Sequence, residues 1–93
     1  MNIESAKSIF QEGIELMLRK NKDYSGKIDN IELTGLQGVA VRLVDKVCRL
    51  YSLSDGREAL VKDESIRDTC LDIENYANIA IQILDGVWGK KEC

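Results

Sequence analysis

Four side chains near the middle of the chain, Arg42, Asp45, Lys46 and Arg49, are of types that could make a binding site. At about 100° per residue they fall on one side of a helix, beside its apolar stripe rather than opposite it. Further along, Asp68, Asp72 and Asn75 share one narrow helical sector, and Tyr76 borders it. If the two helices pack side by side, a cationic row with one carboxylate faces two carboxylates and an amide. Helical bundles build metal and ligand sites from such i, i+3 and i+4 groups. Asp68 and Asp72 repel each other one turn apart, with no lysine at 75 or 76 to relieve them. Compensation then comes from a metal or from the basic row Arg42, Lys46 and Arg49.

Two chemistries follow. Oxygen ligands and an amide suit a hard cation such as Mg²⁺, which keeps several waters and is usually completed by substrate phosphates. On this scheme Asp68 and Asp72, with Asp45, hold the metal, and Asp68 and Asp72 are also the catalytic carboxylates. Arg42, Lys46 and Arg49 clamp phosphates, Asn75 reads a sugar or base edge, and Tyr76 or Tyr24 stacks on the base. The other chemistry needs no ligand: Arg42 or Arg49 pairs with Asp68 or Asp72 across the seam and fixes helix register.

Several alternatives are excluded by residue type. The chain has no histidine, so neither a Ser/His/Asp arrangement nor a Cys/His zinc site is expected. Gly35-Leu36-Gln37-Gly38 lacks the preceding strand and following lysine of a phosphate loop, which leaves metal-assisted attack by water as the hydrolytic route. Cys48, Cys70 and Cys93 are widely spaced and form no CxxC pair; they read as free thiols of a reducing cytosol, two of them in the core. A net charge of −3 argues against general nucleic-acid binding. The start, MNIESAKSIF, carries no apolar signal segment. A soluble cytoplasmic protein with no membrane partner is the expectation.

The elements that must position these residues are helices. Ninety-three residues, 44% hydrophobic and 31% charged, with no proline and only 5% aromatic, make a single all-α domain over 1–93. The first helix is predicted from Ile3 to Lys20 on the stripe Ile3, Ala6, Phe10, Gly13 and Met17, widened by Ile14 and Leu18. The second opens with the capping-box pattern Thr34-Gly35-Leu36-Gln37 and runs to about Leu53. Its stripe is Leu36, Ala40, Leu43, Val47 and Leu50, with Val41, Val44 and Cys48 outside it. Asp55-Gly56 marks a turn, and 58–61 a short helical turn. The third helix runs from Asp63 or Ser65 to Leu84 on Ile66, Cys70, Ile73, Ala77, Ala80 and Leu84, with Gly86 as its stop. Three such helices give a small bundle. The surplus apolar surface, including Ile79, Ile81 and Ile83, calls for completion by a homo-oligomer. Trp88 is expected to clasp the bundle or meet another subunit.

The connection from Lys22 to about Leu33 is long for a small bundle. It contains Lys22, Asp23, Tyr24 and Lys27, which would reach phosphates or a base if the loop folds over the seam.

Three segments together carry a resemblance: Lys20-Asn21-Lys22-Asp23-Tyr24-Ser25-Gly26, Val41 through Leu50 (VRLVDKVCRL), and Asp63 through Ala77 (DESIRDTCLDIENYA). In that order and spacing, over roughly residues 10–84, the chain resembles the phage-associated nucleotide modification associated domain 1 family. In layout it is also similar to the all-α nucleoside triphosphate pyrophosphatases of the MazG and dUTPase type, which hold Mg²⁺ on paired acidic motifs of two helices. The resemblance implies a nucleotide ligand and, if the protein is catalytic, cleavage of a nucleoside triphosphate to monophosphate and pyrophosphate. Two departures bear on this. Arg42 and Asp45, then Asp72 and Asn75, stand where that pattern has four acidic ligands, and Ser25 separates Tyr24 from its glycine. A site richer in cations than carboxylates grips phosphates but activates water poorly. A sequestering protein for nucleotides, cyclic signalling nucleotides included, would therefore use the same residues without turnover.

Overall fold

The computed structural model describes residues 1–23, 30–55 and 63–89. They form three helices in chain order, α1 (Ile3–Asp23), α2 (Asn30–Ser54) and α3 (Asp63–Leu84), so the fold is a small all-α bundle.

Each helix boundary has a local cause. Asn2 caps α1: its Oδ1 accepts from the Ser5 amide at 2.9 Å, and its carbonyl accepts from the Ala6 amide at 3.0 Å. α1 continues through Lys22 and Asp23, past the expected end at Lys20. α2 starts at Asn30 but is broken at Gly35, whose φ of 63° and ψ of −144° belong to glycine alone. The long uninterrupted part of α2 therefore follows Gly35, where the Thr34–Gln37 pattern had placed the start. α3 ends at a left-handed Gly86 (φ 75°). There the Val87 amide reaches the Gln82 carbonyl and the Gly86 amide the Ile83 carbonyl, both at 3.0 Å, the double bond of a Schellman stop.

The expected connection of residues 22–33 is thus shortened from both sides. Lys22 and Asp23 belong to the end of α1, and Asn30 to Leu33 to the start of α2. Tyr24 and Lys27 lie outside the described residues, as do the side chains of Lys22 and Asp23 and the helical turn expected at 58–61.

α3 is the central element; it packs on both other helices, more extensively on α2 than on α1. The buried cluster is Ile31, Val39 and Ile79, with Met17, Leu43, Tyr76, Ala80, Ile83 and Trp88 packed around it. Leu71 is buried as well, and among the described residues Thr69 and Asn75 are buried polar ones. Trp88 thereby clasps the bundle from beyond α3.

This core corrects the expected stripes. On α2, Val39 is fully buried, whereas Ala40 and Val47 are exposed and Leu36 is largely so. On α3 the buried positions are Thr69, Leu71, Asn75 and Ile79, while Cys70, Ala77 and Leu84 face outward. Both helices are apolar over much of their circumference, so periodicity alone does not select the inward face. Two of the three cysteines were expected in the core, but Cys48 and Cys70 are both exposed free thiols. Among the described residues no helix is long and apolar enough to cross a membrane.

Candidate functional site

Asp72 stands where the three helices meet. Its Oδ1 accepts from Lys20 Nζ of α1 at 3.0 Å, and its Oδ2 lies 3.0 Å from Lys46 Nζ of α2. Only 15% of the Asp72 side chain is exposed, against 30% for Lys46 and 53% for Lys20. Burial opposes ionisation of this carboxyl. The hydrogen bonds and charges of Lys20 and Lys46 outweigh burial and hold its pKa below the usual aspartate range. One carboxylate thus ties both outer helices to the central one, with two ammonium groups to a single negative charge.

Of the residues singled out by spacing, Lys46 and Asp72 are brought together across the α2–α3 seam. Arg42 lies one turn before Lys46 on the same side of α2 and is half-buried. Asp45, Arg49 and Asp68 are exposed. Asn75 is buried against α1, where its Oδ1 would lie 3.1 Å from a β-carbon placed on Gly13. Tyr76 packs on the hydrophobic cluster rather than bordering an open site. Asp72 pairs with Lys46 and Lys20.

The donor set can be tested against Mg²⁺. Both Asp72 oxygens face ammonium groups. Among the described residues no group of three or more carboxylates or thiols lies close enough to hold a metal ion. Asp45, Asp68 and Asp72 therefore make no three-ligand cradle as they stand.

A second polar cluster lies between α1 and α3, and residue spacing gave little sign of it. Arg67 donates to both oxygens of Glu12, Nη1 to Oε2 at 2.5 Å and Nη2 to Oε1 at 2.6 Å. Hydrogen bonding from Arg67 lowers the Glu12 pKa; burial opposes it, and the charge of Arg67 adds to the lowering. Beside this pair Glu74 presses on Gly13, so close that a β-carbon there would fall 2.5 Å from Glu74 Oε2. That oxygen is buried without a hydrogen-bond partner, and burial together with the negative Glu12 raises the Glu74 pKa. Ile9, Arg67, Cys70, Leu71 and Glu74 line an open concavity of about 270 Å³ on this side, away from the Lys46–Asp72 contact.

Lys20, Glu12, Arg67 and Glu74 are polar residues that helical spacing missed. Lys20 lies in the last turns of α1, and its reach to Asp72 depends on how α1 crosses α3. Spacing within α1 gives Glu12 no partner, and its partner Arg67 lies 55 positions away. The Gly13 notch, a small residue in the middle of an apolar stripe, was the available signal for close approach of α1 to α3.

Comparisons of the chain with known protein families, with curated proteins and with solved structures found no match.

Proposed function

We propose that this chain is a nucleotide-binding protein that holds a phosphorylated ligand without turning it over. The observation that carries the reading is the excess of cations at the three-helix junction. Lys20 and Lys46 share one carboxylate, and Arg42 stands half-buried one turn from Lys46. A phosphate approaching this edge meets ammonium donors already gathered in one place, and an arginine able to bind it with two hydrogen bonds. Asp72, engaged by both lysines, is poorly placed to serve as the base or metal ligand that hydrolysis requires. The resemblance to the nucleotide modification associated domain 1 family supplies the ligand class.

Calorimetry with a panel of nucleoside triphosphates and cyclic nucleotides, with and without Mg²⁺, tests this reading. Binding is expected with the ligand recovered intact, without dependence on metal, and weakening as salt rises. Arg42→Ala should lower affinity by about tenfold or more, the loss of its charge-assisted hydrogen bonds to the phosphate, while leaving the fold intact. Release of pyrophosphate in Mg²⁺ would replace this reading with the Mg²⁺-dependent pyrophosphatase. Absence of binding across the panel would refute both.

A second reading is favoured by the same contacts. Two 3.0 Å ion pairs on one carboxylate fix the rotation of α1 and α2 about α3 with no ligand present, as a helical interaction module would require. Unchanged helix content and stability on adding every nucleotide of the panel would select it.

A further inference from the structure

Among the described residues, four large hydrophobic side chains are buried while fifteen are exposed. The chain has an accessible surface of 7522 Å². A folded monomer of its mass, 10.5 kDa, has about 5,400 Å² by the usual scaling of surface with mass. Its radius of gyration is 14.6 Å, where about 12 Å is usual for this length. The excess, roughly 2,000 Å², is of the size that each chain of an obligate homodimer buries.

The exposed apolar residues of α2 are ordered in a way that two helices can use. Ala40, Val44, Val47 and Tyr51 recur at spacings of four, three and four, the heptad spacing that keeps a seam facing a partner helix. Val44, Val47 and Tyr51 are 61%, 52% and 73% exposed, and Val41 and Cys48 flank them. The stripe carries no charge. It is distinct from the side formed by Val39 and Leu43, which packs in the bundle core.

We propose that a second copy of this chain covers the Ala40–Val44–Val47–Tyr51 stripe, α2 packing on α2 about a two-fold axis. A two-fold contact places the same stripe on itself, so like charges along its centre would repel; this one has none. The deficit lies in the chain's own core, so its folded state must be completed wherever the chain is present, and a second copy is the partner always at hand. The inference is independent of any nucleotide.

The experiment is light scattering combined with thiol reactivity, in a Cys93→Ser background that leaves Cys48 and Cys70. Both are exposed on the single chain, but only Cys48 borders the stripe. The expected mass is twice 10.5 kDa or a higher even multiple, with alkylation of Cys48 several-fold slower than that of Cys70. Val44→Asp, at a position the single chain leaves exposed, should halve the mass and restore Cys48 reactivity. Where that variant does not fold by circular dichroism, the contrast between the two thiols in the unaltered stripe decides alone. A folded monomer with equally reactive thiols overturns the proposal. So does an oligomer in which Cys48 reacts as fast as Cys70.

Discussion

Replacing Asp72 with asparagine keeps the shape of the side chain and removes the charge that Lys20 and Lys46 share. Each ammonium nitrogen lies 3.0 Å from a carboxylate oxygen. With charge centres about 4 Å apart and an effective dielectric near 20, the gross attraction is about 4 kcal/mol per pair. Most of it is offset by taking the carboxylate out of water, since 85% of that side chain is covered, the complement of its 15% exposure. Solvent screens the two arms unequally, because Lys46 is 30% exposed and Lys20 53%. The net worth is therefore about 1 kcal/mol for the Lys46 arm and about 0.5 kcal/mol for the Lys20 arm.

Asp72→Asn should thus cost about 1.5 kcal/mol at neutral pH, read as a lower urea midpoint at unchanged slope, at one fixed protein concentration. Double-mutant cycles with Lys46→Met and Lys20→Met should give the larger coupling for Lys46. The pH dependence follows from the direction of the shift. The folded pKa of Asp72 is depressed, so its contribution is complete above the unfolded value of about 3.9. It is lost as pH falls through the lower folded value. The gap between wild type and Asp72→Asn should close in acid below the ordinary aspartate range. Equal stability at neutral pH, or a gap that persists undiminished at the lowest pH where the protein remains folded, would refute the assignment of Asp72 as the ionic tie.

Two further substitutions probe strain elsewhere. Glu74→Gln should stabilise the protein at pH 7 by about 1 kcal/mol, since it removes a buried charge on an oxygen that has no partner. The folded pKa of Glu74 is raised, so wild-type stability should gain on the variant as pH falls through that value towards the unfolded one of about 4.3. Urea midpoints across that range check the sign. Gly35→Ala should destabilise by about 1 to 3 kcal/mol through backbone strain, although open space surrounds the position and no side-chain clash arises. A thermal midpoint equal to wild type would count against the break at Gly35.

The sequence by itself determined the helices. Absence of proline, apolar recurrence at helical spacing, the Thr34–Gln37 pattern and Gly86 are local features, and local backbone preferences decide where a helix starts and stops. It also put the basic row containing Lys46 on the side facing Asp68 and Asp72, because both lie on predictable helical sectors. The choice of Lys46 as the partner of Asp72 came with the packing. Tertiary structure alone decided which way each helix turns. α2 and α3 have apolar residues on more than one side, so Val39 rather than Val47, and Leu71 and Ile79 rather than Cys70 and Ala77, went inward. The third member of the junction, Lys20, and the Glu12–Arg67 and Glu74–Gly13 contacts join residues more than fifty positions apart. No periodicity within one helix encodes a separation of that kind. It is fixed only when close packing sets the crossing of α1 over α3.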